Sequence, residues 1–281
     1  MILNLEKKLG KLKDYFAKRE EVLMAFAFGS NVTGRATTES DFDIAVYFKP
    51  KIKEMEWEEE KEYETEDEIW ADVEKIVGIR TDFIVLNRAP STFAFSIIQN
   101  GKPIIIKDKS FYTRFYLLIS SAAEYFMEFT KDFWAIKQRS NSLSEIDRQR
   151  LIRIADFFEK EIEDYKDFKN ISQKDYEGDT ALKRNIERWA ENIVNSSIDI
   201  AKIILASEKI NIPETYRETL RSLSKIKNFD ADTAENLSKY AKMRNILAHE
   251  YLDIRFKQLK NFTNESETAY RYLLNFTKQM I

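Results

Sequence analysis

The first 110 residues alternate between patterns typical of helices and patterns typical of strands. Apolar residues three or four positions apart predict an N-terminal helix, and short apolar runs with polar residues at alternate positions predict strands. The predicted strands cover residues 22–28, 41–48 and 81–86, and a further apolar segment spans 101–106. Together with the helices predicted between them, these segments complete an α/β domain over residues 1–110.

Beyond residue 110 the hydrophobic pattern is helical to the last residue. A long aromatic-rich helix is predicted over 111–140 and is expected to bridge two domains, because an aromatic stripe on a helix is typical of a core or an interface. Further helices are predicted near 145–168, 179–208, 214–226, 231–251 and 255–279. The sequence therefore predicts an α+β protein of two domains, the second of them all-α over residues 111–281.

A densely acidic segment runs from Lys51 to Asp72. Its spacing of charges is typical of a solvated helix face or a mobile loop. We therefore assign it no chemistry.

The composition of the 281-residue chain narrows the classes of protein to which it can belong. Only six glycines and four prolines are present, which favours helices and excludes an all-β fold. Cysteine is absent, so disulfides and thiolate metal sites are excluded and a cytoplasmic location is expected. The longest uncharged apolar stretch, 115–123, is too short for a bilayer, so no membrane partner is expected. The net charge of −3 attracts no polyanion globally, so DNA is not expected and any RNA contact must be local.

Three aspartates and a Gly-Ser turn form the first group of candidate functional residues. Asp41 and Asp43 are two positions apart on a predicted strand, so their carboxylates project from the same face of the sheet. Asp82 lies on the next strand, and three converging carboxylates favour a hard cation such as Mg²⁺. Gly29 and Ser30 end the first strand and supply backbone N–H groups where a phosphate would dock. This arrangement predicts a site for a nucleoside triphosphate.

The spacing of these residues resembles the GSx10DxD signature of minimal nucleotidyltransferases in the polymerase-β-like superfamily. The resemblance covers about residues 10–110, and Gly34, Ser40 and Asp82 also fall at the family's positions. It implies a mixed sheet and the transfer of a nucleoside monophosphate, here AMP, from a triphosphate onto an acceptor hydroxyl. Ser40 is then expected to contribute to nucleotide binding. One position departs from the family, because Asn31 stands where many relatives have arginine.

The same resemblance implies roles for the other candidate residues. Asp41 and Asp43 would bind both of two Mg²⁺ ions, while Asp82 would bind one of them and help to deprotonate the acceptor. Gly29 and Ser30 would hold the β and γ phosphates of ATP. The expected substrate is therefore ATP, with two Mg²⁺ ions as cofactors.

The only histidine of the chain, His249, belongs to a second group of candidate residues. Asn245 and His249 are four positions apart and share a helix face, which Arg244 flanks. An arginine for phosphate, an amide for orientation and an imidazole for proton transfer are sufficient to cleave RNA without a metal. By itself this spacing is more often that of a histidine that caps or packs a helix end.

This stretch also resembles the Rx4HxY motif of HEPN domains, with Tyr251 as its tyrosine, and the resemblance extends over residues 143–281. It implies a HEPN-like helical bundle that forms a homodimer, in which two copies of the motif meet as a ribonuclease site. In some members a partner nucleotidyltransferase adds AMP to the motif tyrosine and blocks the ribonuclease, as in a toxin–antitoxin pair. The fusion of both halves in one chain departs from the usual two-protein arrangement.

These resemblances imply one expected function and leave alternatives open. The expected function is AMP transfer from ATP to a hydroxyl, with Tyr251 of the chain's own HEPN-like domain as the candidate acceptor. One alternative is a metal-independent HEPN endoribonuclease that uses Arg244 and His249 and is regulated by the N-terminal domain. Another is an aminoglycoside-type nucleotidyltransferase that modifies a small molecule, although the intact HEPN motif argues against it. A purely binding role is the alternative if both sites are degenerate.

Overall fold

The computed structural model describes residues 2–35, 37, 40–51, 55–249 and 256–281, with the backbone alone at 2–4, 248 and 249. The chain divides into two compact units, residues 1–126 and 127–281. The division falls inside one long helix, α5 (Lys109–Arg139), which occupies the segment predicted to form the bridging helix. In the described part of the chain no helix is both long and apolar enough to cross a membrane.

The first unit is built on a mixed sheet. Its strands are β1 (Val22–Phe28), β2 (Phe42–Phe48), β3 (Thr81–Val85) and β4 (Lys102–Ile106). Their order across the sheet is β3-β2-β1-β4, with β2 parallel to β3 and the other neighbours antiparallel. The mixed sheet is therefore confirmed. Asp41, expected within the second strand, lies one residue before it.

Helices cover both faces of this sheet. The helices of the first unit that precede α5 are α1 (Ile2–Ala17), α2 (Gly29–Thr33), α3 (Glu66–Val77) and α4 (Ser91–Asn100). Side chains alternate along a strand, so Ile44 and Val46 of β2 pack with α1 and α3 in one apolar cluster. Ala45 and Tyr47 pack with α4 and the first turns of α5 in another. Because both faces are covered, the central strands are nearly continuous apolar runs.

The described residues of the second unit are mainly helical. After the end of α5 come α6 (Glu145–Glu163), α7 (Tyr165–Phe168), α8 (Gln173–Gly178), α9 (Thr180–Ser207), α10 (Tyr216–Arg221), α11 (Ala231–His249), α12 (Phe256–Glu265) and α13 (Glu267–Met280). A short 3-10 turn, Ser222–Lys225, links α10 to the segment before α11. This arrangement confirms the α+β class, with a helical C-terminal part.

Part of the acidic segment packs against the sheet instead of lying in solvent. Glu56 and Trp57 are buried, with exposed fractions of 6% and 5%. The hydroxyl of Tyr47 donates to the Glu56 carbonyl at 2.8 Å and accepts from the Glu56 N–H at 2.9 Å. The Glu56 carboxylate accepts from Lys61 and Tyr63 at 2.5 and 2.7 Å. The expectation of a solvated helix face or mobile loop is therefore wrong for this part of the segment.

Candidate active site

Strand pairing brings the three candidate aspartates to one end of the sheet. In the parallel register of β2 and β3, Asp43 lies directly beside Asp82, and Asp41 comes two residues before Asp43. Alternation along the strands places all three on the sheet face that carries α4 and α5. The two strands thus bring the three candidate carboxylates together.

The Gly29-Ser30 turn lies against the Asp43 carboxylate. Gly29 has a φ of +70°, a conformation that suits glycine, and it opens the short helix α2 directly after β1. A Cβ atom at this position would lie 2.0 Å from Oδ2 of Asp43, which is far inside van der Waals contact. The backbone N–H of Ser30 donates a hydrogen bond to the same carboxylate. Only glycine allows the turn to approach Asp43 so closely.

The electrostatic environment of Asp43 disfavours its charged form. Burial raises the pKa of the Asp43 carboxyl above its ordinary value, and the negative charges of Asp82 and Asp41 raise it further. Hydrogen bonds from its own N–H and from that of Ser30 act in the opposite direction. The site therefore holds negative charge that its own backbone donors do not balance.

Asp41 has polar contacts of its own. Its carbonyl accepts a hydrogen bond from Nδ2 of Asn31 at 2.6 Å, which ties α2 to the start of β2. Its carboxylate Oδ2 is 3.8 Å from Nε of Arg80, whose side chain is largely exposed. Asn31, the position that departs from the family, therefore acts within the structure as a tether between the turn and the strand.

The fit of this site to a metal ion depends on its donor chemistry. Among the described residues, no three histidine, cysteine, aspartate or glutamate side chains are gathered closely enough to hold a metal ion. Asp41, Asp43 and Asp82 therefore lie near one another without forming a closed ligand cluster. Their hard oxygen donors and their unbalanced negative charge fit a dication of the Mg²⁺ type.

Ser40 lies in the loop between α2 and β2. Its hydroxyl accepts a hydrogen bond from the backbone N–H of Thr37 at 2.9 Å and lies 3.2 Å from the Thr37 hydroxyl. Residues 36, 38 and 39 of this loop lie outside the described residues. Ser40 therefore closes a local turn, and its expected contact with the nucleotide stays a prediction.

A pair of phenylalanines borders the site and was not singled out from the sequence. Phe28, the last residue of β1, is the strand partner of Asp43, and its side chain lies on the same sheet face. Its ring makes an edge-to-face contact with that of Phe93 in α4, with 5.9 Å between centroids. Phe93 is 41% exposed. An accessible aromatic ring therefore contacts the strand partner of Asp43, and no spacing signal in the sequence indicates this contact.

The second motif lies at the end of α11. Arg244 is only 8% exposed, and its guanidinium lies over the ring of Tyr216, 4.6 Å from the centroid. Asn245 is also buried. His249, of which only the backbone is described, is the last residue of α11. Tyr251 lies outside the described residues. The structure thus places Arg244 and Asn245 in the helical unit and leaves the other two motif positions as predictions.

Two family models each match one part of the chain. Residues 10–110 match the family described as polymerase beta, nucleotidyltransferase. Residues 158–279 match the family described as ribonuclease HepT-like. No match is found among curated proteins. The chain therefore joins a polymerase-β-type nucleotidyltransferase domain to a HepT-like domain of the HEPN type in one polypeptide.

Proposed function

We propose that this protein transfers AMP from ATP to a hydroxyl group, and that the acceptor is Tyr251 of its own HepT-like domain. The observation that carries the proposal is the contact between the Gly29-Ser30 turn and Asp43, which lies beside Asp82. A phosphate-binding turn packed on a pair of carboxylates is suited to a nucleoside triphosphate and a dication. The match to the nucleotidyltransferase family supports the same chemistry.

The reaction requires one bond to form and one to break. The acceptor oxygen attacks the α-phosphorus of ATP, the bond from that phosphorus to the bridging oxygen breaks, and pyrophosphate leaves. Asp82, which is exposed to solvent, takes the proton of the acceptor hydroxyl. Gly29 and Ser30 hold the leaving phosphates, and the exposed ring of Phe93 offers a surface for the base.

Asp41, Asp43 and Asp82 would hold Mg²⁺ in this proposal. When bound, the metal would neutralise charge on the phosphates and on these carboxylates. A thermal shift assay tests this binding without ATP turnover, because a ligand of the folded state raises the melting temperature. Mg²⁺ is expected to stabilise the wild-type chain and to have little effect on Asp43→Asn. Equal stabilisation of both proteins would contradict the assignment.

Tyr251 is the proposed acceptor because its phenol lies seven residues after Arg244 in the HEPN-like motif. An AMP group attached there would add a negative phosphodiester and a bulky base next to residues suited to RNA. Such a modification would exclude an RNA phosphate by charge and by volume. This gives the fusion of the two domains a direct chemical consequence.

Intact-protein mass spectrometry before and after incubation with ATP and Mg²⁺ tests the proposal. The wild-type chain is expected to gain mass in steps of one AMP, and both Asp43→Asn and Tyr251→Phe are expected to gain none. A wild-type chain that neither carries AMP as purified nor gains it would reject self-modification. Mass gain that persists in Tyr251→Phe would assign the reaction to another acceptor.

Mixing two variants distinguishes transfer within one chain from transfer between chains of the expected homodimer. Asp43→Asn keeps the acceptor without the proposed metal ligand, and Tyr251→Phe keeps the metal ligand without the acceptor. Modification of Asp43→Asn in the mixture would indicate transfer between chains. Modification that occurs only when Asp43 and Tyr251 share one chain would indicate transfer in cis.

A second candidate function, RNA cleavage, is favoured by the match to the ribonuclease HepT-like family. Helix α11 carries Arg244 and ends at His249, the one imidazole of the chain. His249→Ala is expected to abolish cleavage of an RNA substrate, whereas Asp43→Asn is not expected to reduce it. Cleavage that survives the loss of His249 would reject this function for the motif.

A further inference from the structure

A basic groove lies on the helical unit between α6 and α9. It has a volume of about 570 Å³, and its lining includes three arginines, two asparagines and an exposed phenylalanine. Those residues are Arg150, Arg153, Arg188, Asn192, Asn195 and Phe157. Among the described residues that line it, Asp199 is the single acidic one. The groove thus carries local positive charge on a chain whose net charge is −3.

Ion pairs compensate two of the charged residues that line the groove, Arg150 and Asp199. Arg150 donates to both carboxylate oxygens of Asp132 on α5, at 2.9 and 2.7 Å. Lys202, which is 5% exposed, lies 2.8 Å from Asp132 and 2.8 Å from Asp199. This network of two cations and two anions accounts for Asp199, the acidic lining residue. It also fixes α5, α6 and α9 to one another, so the groove is held in shape without a ligand.

The remaining positive charge of the groove comes from Arg153 and Arg188. Both side chains are exposed. Within the described part of the chain, no carboxylate lies within ion-pairing distance of Arg153, and its Nε makes only a long hydrogen bond to the Gln149 carbonyl at 3.4 Å. Arg188 pairs with Glu191 at the surface, a contact that solvent weakens. Two guanidinium groups are thus available for phosphate oxygens.

An aromatic ring and side-chain amides accompany these arginines. Phe157 is 43% exposed and lies four positions after Arg153, so the two share one face of α6. Along α9, Asn192 lies four positions after Arg188, and Asn195 lies three positions after Asn192. Aromatic rings stack on unpaired bases, and amides can bond to the 2′-hydroxyl or to base edges.

We infer that this groove binds single-stranded RNA. Arg153 and Arg188 contact successive phosphates, Phe157 stacks on a base, and the asparagines contact the ribose and the base edge. The inference does not rest on AMP transfer by the first unit. It assigns a surface to RNA apart from the Arg244 motif, and it deepens the ribonuclease candidate by naming where the strand lies.

The test is fluorescence anisotropy with a labelled single-stranded RNA of about 12 nucleotides. This length is within the range of site sizes of domains that bind single-stranded nucleic acids. The full chain carries Asp43→Asn and His249→Ala, so neither proposed activity can affect binding. On this background, Arg153→Gln with Arg188→Gln is expected to weaken binding roughly ten-fold or more and to reduce the salt slope by about 1.4, or about 0.7 for each lost phosphate contact. Phe157→Ala is expected to weaken binding about ten-fold with an unchanged salt slope.

The controls identify the source of any loss of binding. Lys174→Gln removes an exposed positive charge on α8, outside the groove, and is expected to leave RNA affinity unchanged. DNA of the same sequence is expected to bind more weakly than RNA. An equal effect of Lys174→Gln and the arginine substitutions, or equal affinity for DNA, would overturn the assignment to RNA.

Two further outcomes would also overturn it. If inorganic polyphosphate binds as tightly as RNA, and Phe157→Ala does not weaken that binding, the groove is a general anion site and not an RNA site. A change from dimer to monomer in Phe157→Ala, measured by light scattering, would show that this face joins two copies of the chain. A monomer–dimer state that is unchanged, together with the expected losses in RNA affinity, supports the proposal.

Discussion

At the scale of single residues, the proposed AMP transfer depends most directly on backbone conformation at Gly29. Its positive φ and its missing Cβ together let the turn reach the Asp43 carboxylate. In Gly29→Ala the new methyl group would displace Asp43 or move the turn. Because misplacement by about 1 Å can reduce a rate about 100-fold, AMP transfer is expected to fall by at least that factor. A quantitative assay of AMP incorporation measures the loss.

Gly78→Ala provides a matched control for this substitution. Gly78 also has a positive φ, +72°, but apart from its chain neighbours no heavy atom of the described residues lies within 4 Å of the position that its Cβ would take. Both variants should lose about 1–2 kcal/mol from the left-handed backbone alone. Only Gly29→Ala should also lose AMP transfer. If both variants keep the activity, the approach of the turn to Asp43 has no catalytic importance.

The charged carboxylate of Asp132 contributes to the stability of the helical unit. Although partial burial opposes ionisation, hydrogen bonds from Arg150 and Lys202 lower the pKa of Asp132 from 3.8 to about 2. A depressed pKa in the folded state stabilises the protein above the unfolded value, and this stability is lost as the pH falls from 3.8 through 2. Discounted for solvent screening, the contribution is about 1 kcal/mol at pH 7.

Urea denaturation of Asp132→Asn and wild type measures this contribution. The variant is expected to be less stable at pH 7, and the difference should shrink as the pH falls below 4. Asp156→Asn, an exposed substitution on α6, serves as the control and should change little. A difference that is independent of pH would mean that Asp132 stabilises the unit by packing and not by its charge.

At the scale of elements, Asn87 joins the acidic segment to the sheet. It is fully buried after β3, its Oδ1 accepts from the Phe48 N–H at 2.8 Å, and its Nδ2 donates to the Phe48 carbonyl at 3.0 Å. The same amide lies 3.4 Å from the Glu56 carboxylate. The side chain thus satisfies the N–H and the carbonyl of the last residue of β2 and holds the buried part of the acidic segment.

Asn87→Ala should leave these buried groups of Phe48 without partners. The expected cost is about 2 kcal/mol in the free energy of unfolding, because unsatisfied buried polar groups lose their hydration without compensation. Chemical denaturation measures it, with Asn100→Ala, which removes one exposed bond to the Ser96 carbonyl, as the control. A cost no larger than that of the control would exclude the bridging role.

Most strands and long helices could be predicted because hydrophobic periodicity reports local burial directly. The run 22–28 agrees with β1, and the aromatic stripe after residue 110 agrees with α5. Periodicity does not predict helix α8, because its start depends on a capping box between Ser172 and Asp175 and not on a long apolar face. The burial of Glu56 could not be predicted, because its partners Tyr47 and Asn87 are 9 and 31 positions away and meet only where the ends of β2 and β3 lie side by side.

The residue types of the candidate site could be predicted from the sequence, whereas several of their contacts could not. Strand alternation and family spacing identify the aspartates, and the parallel register of β2 and β3 places Asp43 and Asp82 side by side. The ring of Phe93 could not be predicted, because its position depends on how α4 packs on β1. The burial of Arg244 depends on Tyr216, 28 positions earlier in the sequence.

At the scale of the whole molecule, one polypeptide contains a nucleotidyltransferase domain and a HepT-like domain. Two proteins encoded separately can be controlled by the level of each, whereas a fusion keeps the two domains at equal amounts. A fusion can still be controlled by chemistry on the chain itself, and the proposed AMP transfer to the HEPN-like motif is a reaction of that kind.

RNA cleavage by the wild-type chain is expected to fall after incubation with ATP and Mg²⁺, because an AMP group at Tyr251 adds negative charge and bulk beside Arg244. The loss should follow the fraction of modified chains measured by mass spectrometry. Tyr251→Phe and Asp43→Asn should cleave RNA equally well before and after the incubation, since neither can be modified at the motif. Inhibition of Tyr251→Phe by ATP would show that the nucleotide acts by occupying a site and not by covalent transfer. Unchanged cleavage by a fully modified wild-type chain would separate the two activities, and the HepT-like domain would then use a surface that Tyr251 does not border.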